Sequence, residues 1–234
     1  MTALVVAGRE LRGAFSLPIA YVVLSAFLVL AGSYLFVLHP FFVIGRATLR
    51  PLFEFAPFLF TLFAPAITMR SLAEERRAGT LEVLLTWPVS DGALVLGKFL
   101  GAWALLAVAV ALTLPAALSV AALGDLDWGP VWGGYVGLLL LGGAYLALGL
   151  LASAFTRNRI VAFIFGFVAC FVGFSVGRLA DVAPPGLSGL VELLSFERRF
   201  SRVARGVIDS RDLVFFATVI WICLTATAEA LRSR

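Results

Sequence analysis

The chain has 234 residues, of which 62% are hydrophobic and 14% are charged, and its formal net charge is +4. Its mean hydropathy of +1.04 excludes a water-soluble globular domain, in which about a quarter of the residues are charged. Backbone polar groups in lipid must be bonded internally, so a membrane chain is a helical bundle or a closed barrel. The apolar runs are continuous and longer than barrel strands. We therefore predict one all-α integral membrane domain over residues 1–234.

Six apolar runs have about the length of a membrane span, which needs roughly 20 residues as a helix. The second run is short and contains Pro57 and Pro65, and it gains length if its helix continues through Arg77. The sixth run is also short. The predicted spans are residues 19–38, 55–72, 99–123, 131–155, 160–178 and 213–229.

Six spans place both termini on one side of the membrane, and basic residues indicate which side, because cytoplasmic loops are enriched in Lys and Arg. We predict a bacterial inner-membrane protein with both termini on the cytoplasmic side. The basic residues on that side are then Arg9, Arg12, Arg70, Arg76, Arg77, Lys98, Arg157, Arg159, Arg232 and Arg234. The segment between the fifth and sixth spans would lie outside and contradicts the rule. Its basic residues are Arg178, Arg198, Arg199, Arg202, Arg205 and Arg211. If that segment were cytoplasmic, the number of spans would be wrong by one.

The same basic segment contains a helical pattern. Apolar residues recur at helical spacing, with arginines on the other face, which is typical of a helix lying in a membrane interface. The residues of this predicted outer helix are Phe196, Arg198, Arg199, Phe200, Arg202 and Arg205. Two interpretations remain open: a basic helix held by lipid headgroups, or a surface that meets an extracytoplasmic partner or an anionic substrate.

A polar segment over residues 69–98 separates the second span from the third. Arginines near its start favour the C-terminal end of a helix, where they oppose the negative end of the helix dipole. Gly79 suits the left-handed residue that follows a helix, and Thr80 is a favourable N-cap for the next one. A leucine face predicts a short second helix, which Pro88 ends, and Ser90 is a further N-cap candidate. The residues that we assign to this coupling segment are Glu74, Glu75, Arg76, Arg77, Gly79, Thr80, Leu81, Glu82, Leu84 and Leu85.

Two interpretations of this segment remain open. It is an interfacial helix that only anchors the chain in lipid, or a coupling helix that inserts into a groove of a cytosolic partner and transmits its motion to the spans. The N-terminal segment Leu4–Leu17 is a second interfacial stretch, which could lie beside the coupling helix. Its polar side comprises Arg9, Glu10 and Arg12.

Two short patterns match catalytic motifs, but their context argues against that chemistry. Residues 92–98 match GxxxxGK, yet Phe99 stands where a hydroxyl is needed to hold Mg²⁺. Residues 173–177 match GxSxG around Ser175, yet they fall inside a predicted span instead of a strand-to-helix turn. We expect neither a nucleotide site nor a hydrolase, and we interpret Lys98 as a side chain that reaches the membrane interface.

Glycines at four-residue spacing predict close helix contacts, as small residues do in membrane proteins. These are Gly129, Gly133 and Gly137 in the fourth span and Gly173 and Gly177 in the fifth. Cys170 and Cys223 lie in apolar runs without ligand spacing, so we expect two buried hydrophobic side chains and neither a disulfide nor a metal site. Copper handling has no support, because the chain has two methionines and one histidine.

The predicted spans contain almost no charge, whereas an ion-driven carrier needs ionisable groups inside its helices. The chain also lacks an ATPase motif of its own. We therefore expect its energy to come from a partner that docks on the polar segment.

Three blocks of sequence resemble the ABC-2 type transporter permeases, and most closely those of the gliding-motility (GldF-like) type. They read APFLFTLFAPAITMRSLAEERRAGTLEVLLTWPVSDGALVLGKFLGA (residues 56–102), SLPIAYVV (16–23) and ARGVIDSRDLVFF (204–216). The resemblance implies six membrane helices, pairing with a second copy or a related permease, and a separate cytoplasmic ATPase dimer engaged by the loop between helices 2 and 3. It places the coupling role on residues 74–80 and Glu82. In some such systems a further membrane subunit carries a large extracytoplasmic part.

Two functions follow as hypotheses. In the first, the chain is the permease subunit of an ATP-driven exporter, with ATP and Mg²⁺ bound by the partner ATPase and no cofactor or metal in this chain. In the second, it is a mechanical or scaffold subunit that transmits ATPase motion to an extracytoplasmic partner without moving a solute. Both expect contact with the lipid bilayer and no nucleic acid.

Overall fold

A computed structural model describes residues 3–16, 18–38, 47–79, 90–179, 195–207 and 209–232. These residues are helical and form one bundle. The helices are α1 (Ala3–Phe15), α2 (Pro18–Ser33, extended by a π-helical turn Tyr34–Leu38), α3 (Arg50–Thr68), α4 (Ala73–Ala78), α5 (Asp91–Ala111), α6 (Leu114–Leu123), α7 (Trp128–Ala154), α8 (Arg159–Leu179), α9 (Phe196–Ala204) and α10 (Ser210–Arg232).

Six stretches are long and apolar enough to cross a membrane, which confirms the predicted number of spans. They are Ala20–Leu38, Arg50–Ala78, Asp91–Leu123, Trp128–Ala154, Arg159–Arg178 and Ser210–Arg232. The sixth stretch, whose apolar run is short, reaches 23 residues because the helix continues into polar residues at both ends.

The second span does not continue as one helix through Arg77. α3 contains both predicted prolines and ends at Thr68, and a turn over residues 69–72 precedes α4. α4 then ends at Gly79, whose φ of 71° is the left-handed conformation that glycine adopts without strain. The predicted helix end at Gly79 is therefore confirmed.

The third span begins at Asp91, earlier than predicted, because Ser90 caps it as expected: its Oγ accepts a hydrogen bond from the Ala93 amide at 3.3 Å. The span is broken between α5 and α6, where Pro115 occupies the first turn of α6. Thr113 supports the break, since its Oγ1 lies 2.7 Å from the Val110 carbonyl oxygen and 3.1 Å from the Tyr135 hydroxyl.

The core of the bundle is α7, which packs against α3, α5, α8, α9 and α10. Its inward side chains Leu141, Tyr145 and Leu150 are fully buried. Close packing depends on missing side chains: a Cβ at Gly149 would collide with Thr68 of α3. Both cysteines are buried and free, as predicted.

Gly149→Leu should therefore destabilise the bundle, because the new side chain collides with α3 and overpacking costs about 1–3 kcal/mol. Gly32→Leu is the matched control, since Gly32 lies in α2 and a Cβ there meets nothing within 4 Å. The measurement is the thermal unfolding midpoint of each purified variant in detergent. Equal midpoints for the two variants would contradict the packing at Gly149.

Candidate functional site

Lys98 is the most deeply buried cation among the described residues, with 2% of its surface exposed. It projects from the second turn of α5. Its ammonium lies 2.7 Å from Glu10 Oε1 of α1 and 2.7 Å from Glu75 Oε1 of α4. One ammonium thus joins three helices, and we call Glu10, Glu75 and Lys98 the lysine cluster.

The lysine cluster exists only because its charges compensate one another. A charged group out of water loses several kcal/mol of hydration, and breaking a buried pair costs about 3–5 kcal/mol. An ammonium has three donors, and here two of them meet carboxylates. The Lys98 side chain does not extend into water, because carboxylates from two neighbouring helices hold its ammonium inside the protein.

Glycine brings α1 close enough to complete the cluster. A Cβ on Gly101 of α5 would lie 2.7 Å from Glu10 Cβ, and one on Gly97 would lie 2.5 Å from Val6 Cβ. Both distances are shorter than carbon atoms tolerate, so α1 can rest on this face of α5 only because these residues lack side chains. The GxxxxGK pattern is thus a helix–helix contact followed by a structural lysine.

The other charged residues of α4 bind elsewhere at the same end of the bundle. Glu74 accepts hydrogen bonds from Arg70 at 2.7 and 3.3 Å, and lies 3.5 Å from Arg159 at the start of α8. The Arg76 guanidinium donates to the Ala154 carbonyl at the end of α7. Arg77 is exposed.

The start of α4 is held by a residue from another span. Ser153 of α7 is fully buried, and its Oγ accepts hydrogen bonds from the Leu72 amide at 3.2 Å and the Ala73 amide at 3.0 Å. The first amides of a helix have no partner within it, and Ser153 supplies that partner from about 80 residues away in sequence. We call α4 with these contacts the α4 clamp.

A groove of about 470 Å³ lies beside the clamp, between α1, α3, α4 and α5. Arg9 and Glu10 reach it from α1, so the structure brings the predicted N-terminal residues Arg9 and Glu10 together with Glu74 and Glu75. Arg12 is exposed and does not line the groove. The predicted coupling residues Thr80, Leu81, Glu82, Leu84 and Leu85 lie outside the described residues.

The opposite end of the bundle has a second charged cluster, in which one carboxylate lies between two cations. Asp212 of α10 is fully buried and binds two arginines of α9: Arg199 at 3.0 Å, and Arg202 at 2.6 and 3.1 Å. The Arg199 guanidinium also lies 4.2 Å from the centre of the Phe215 ring, a cation–π contact. We call these charged residues the aspartate cluster.

The expectation that the arginines of the outer helix face away from the protein is wrong for Arg199, which is only 8% exposed. Asp212 explains the difference, because a carboxylate inside the bundle draws the guanidinium inward. Phe200 and Val203 are buried as the apolar face predicts. Arg205 is exposed, and its Nε donates to the Ser201 carbonyl at 3.1 Å.

The glycine series of the fourth and fifth spans face α9, not another span. A Cβ on Gly137 would lie 3.1 Å from the Phe200 ring, and one on Gly173 would lie 3.1 Å from the Phe196 ring. Gly133 contacts the Val203 carbonyl, and a Cβ on Gly177 would meet Ser195 Oγ at 2.5 Å. For Gly129, a Cβ would come within 3.3 Å only of Asp127. The glycines make room for the basic helix.

The two clusters lie at opposite ends of α7. Gly133 contacts α9 and Ser153 caps α4, and these residues are 20 positions apart on α7, which corresponds to about 30 Å of helix. The hydrocarbon core of a bilayer is also about 30 Å thick. The lysine and aspartate clusters are therefore separated by about the thickness of the hydrocarbon core.

Sequence reasoning missed Lys98, Ser153 and Asp212 as organising residues. An acid close in sequence to a helix of arginines was the available signal for Asp212. Ser153 offered none, because a serine inside an apolar run is common. Ser175 lies inside α8, as predicted, without the turn that a GxSxG nucleophile needs.

The six candidate spans and the short charged helix at one end of the bundle define the class of this protein, which is a polytopic helical membrane protein. Its sequence agrees with a known family: the ABC-2 family transporter proteins match residues 14–201. The probable ABC transporter permease protein NosY of Stutzerimonas stutzeri is 30% identical over 210 residues, covering 77% of this chain and 75% of the relative. The protein of the same name from Pseudomonas aeruginosa is 30% identical over 213 residues, covering 79% and 76%.

The chain therefore belongs to the ABC-2 family of transporter permeases. It is a permease subunit, which is not itself catalytic, and permeases of this family work with ATPase subunits. This confirms the family resemblance of the sequence at the level of ABC-2 permeases.

Lys98→Met should lower the free energy of unfolding by about 3–5 kcal/mol, because it leaves two carboxylates facing each other without a cation. Adding Glu10→Gln and Glu75→Gln should restore most of that loss, since no uncompensated charge remains. Arg232→Gln is the control: it breaks the exposed Arg232–Asp91 pair of 3.2 Å at the same end, which is worth at most about 1 kcal/mol. Thermal unfolding in detergent measures all three. A triple variant no more stable than Lys98→Met would contradict the charge argument.

Proposed function

We propose that this chain is the permease subunit of an ATP-driven exporter in a bacterial inner membrane, moved by a separate cytoplasmic ATPase dimer that docks on α4 and residues 80–89. The observation that carries the proposal is the α4 clamp. A helix of six residues makes specific polar contacts with three other helices, which is more than a loop needs to reconnect two spans.

The clamp is suited to passing motion from a partner into the membrane. A push on α4 acts on α5 and α1 through Lys98, on α7 through Ser153 and on α8 through the Glu74–Arg159 pair. These contacts form a continuous physical chain, which is what coupling between distant sites requires. ATP-driven closure of the partner would displace the clamp and reopen the pathway on the far side.

The proposed orientation, with the lysine cluster and both termini in the cytoplasm, accommodates the basic residues at the other end. There, Arg50 pairs with Glu54 at 2.7 Å and Arg178 with Glu197 at 3.5 Å, while Asp212 binds two more arginines.

The assembly that we propose contains two permease subunits, either two copies of this chain or one copy and a relative. ATP and Mg²⁺ belong to the ATPase, so this chain holds neither. The relationship to gliding-motility (GldF-like) permeases stays a proposal that rests on the resemblance of residues 56–102, 16–23 and 204–216.

Arg77→Glu should reduce coupling to the ATPase, because Arg77 is exposed on α4 just before Gly79 and takes no part in the lysine cluster. We expect about a tenfold loss of permease-stimulated ATP hydrolysis, within the range of typical coupling energies. The assay uses the full-length chain with the ATPase that copurifies with it. Unfolding midpoints show whether the permease itself is intact.

The matched control for that experiment is Arg157→Glu, which makes the same charge change on an exposed residue at the same end but outside α4. It should leave stimulated hydrolysis within about twofold of the unmodified complex. Equal stimulation by the two variants would remove α4 as the docking element.

The second candidate is a mechanical subunit that pulls on an extracytoplasmic partner, and exposed basic residues at the α9 end favour it. Arg199 and Arg202 cannot test this, because they bind Asp212 and stabilise the fold. Arg205 and Arg211 are exposed. If the chain is a mechanical subunit, Arg205→Gln with Arg211→Gln should release such a partner in copurification, whereas in an exporter the same variant should keep ATP-dependent solute export. A loss of export with the partner retained would contradict the mechanical function.

A further inference from the structure

A large aromatic pocket opens at the α9 end of the bundle, between the starts of α3 and α7 and the ends of α8 and α9. Its volume is about 1170 Å³, above the roughly 300–1,000 Å³ of sites for drug-sized ligands. The coupling contacts of α4 lie at the other membrane face, so neither the ATPase nor the lysine cluster accounts for this space. We propose that the pocket binds a zwitterionic phospholipid.

The part of the pocket farther from the charged rim is lined by aromatic rings, which suit the acyl chains of a lipid. Tyr34 stacks on Phe55 at 4.1 Å between ring centres, and Phe58 and Phe174 are 6.0 Å apart. Phe171 continues the series at 6.4 Å from Phe174. Rings of α3 and α8 thus form a continuous apolar wall that descends from the membrane face.

That wall also faces the lipid. Phe58 is 44% exposed and Phe171 is 40% exposed on the membrane-spanning part of the bundle. In an aqueous cavity such exposure would be unfavourable, at about 25 cal/mol per Å² of apolar surface. Acyl chains remove that cost, and they can enter from the side without crossing the charged residues above.

Among the described residues, the part of the pocket nearest α9 carries both signs of charge in equal number. The four residues of this rim are two ion pairs, Arg50 with Glu54 and Arg178 with Glu197. Arg205 and Asp127 add one further charge of each sign. A headgroup with a phosphate and an ammonium matches this pattern, whereas an anionic headgroup would oppose the carboxylates.

The rim pairs are weak enough to be exchanged for a ligand. The side chains of Arg50 and Glu54 are 77% and 56% exposed, and that of Arg178 is 67% exposed. Exposed pairs of this kind contribute little to stability. A phosphate on an arginine and an ammonium on a glutamate would each form a stronger, charge-assisted hydrogen bond. Binding of a dipolar headgroup is therefore favourable without unfolding the rim.

The test is native mass spectrometry of the full-length, delipidated chain in detergent, with three added probes. These are phosphatidylethanolamine, phosphatidylglycerol with the same acyl chains, and soluble phosphorylethanolamine. We expect one phosphatidylethanolamine to be retained per chain, about tenfold more tightly than phosphatidylglycerol, as one charge-assisted hydrogen bond implies. The soluble headgroup should not be retained.

Glu54→Gln with Arg178→Gln should weaken retention of phosphatidylethanolamine by about tenfold or more. Asp91→Asn with Arg232→Gln is the matched control, because it removes an ion pair of 3.2 Å at the other end and should change nothing. If the first double variant does not fold, Arg178→Gln alone gives the same test at an exposed position. Coupled ATP hydrolysis is a separate readout, so failure here leaves the function of α4 unaffected.

Three results would overturn the proposal. Equal retention of the two lipids, unchanged by the rim variants, would mean ordinary annular lipid. Tighter retention of phosphatidylglycerol would mean an anionic ligand. Retention of phosphorylethanolamine as tight as that of the lipid would mean that the aromatic wall plays no part.

Discussion

The position of three helices depends on one ammonium group. Lys98 carries its charge out of water, and only Glu10 and Glu75, each 2.7 Å away, make that position stable. The helix α1, which has no buried residues of its own, is thereby attached to the bundle. The same contact fixes α4, which begins the polar segment between the second and third spans.

The two ends of the bundle use the same principle with opposite signs. At one face a cation lies between two carboxylates, and at the other a carboxylate lies between two guanidinium groups. Each cluster leaves one formal charge in excess: negative around Lys98 and positive around Asp212. Helices that pack through hydrocarbon alone have little to fix their ends, because lipid is as apolar as the side chains. Compensated charges give each end a specific partner.

Sequence and structure agree wherever the signal is local. Hydropathy predicts the six spans, and single residues predict helix ends at Gly79 and Ser90. The clusters were not predictable in this way, because Glu10 and Lys98 are 88 residues apart in sequence. The spacing of small residues correctly predicted close helix contacts. It did not predict their partner, because Gly137 packs against Phe200 of the short basic helix α9, which follows α8 in the chain.

The long separation between Glu10 and Lys98 in sequence also sets the order in which the two residues are synthesised. Chains are synthesised from the N-terminus at about 5–20 residues per second, so α1 leaves the ribosome seconds before its cationic partner exists. During that interval α1 lacks the ammonium that later holds it. The helix α1 is thus made before α5 and can be seated only after Lys98 has been synthesised.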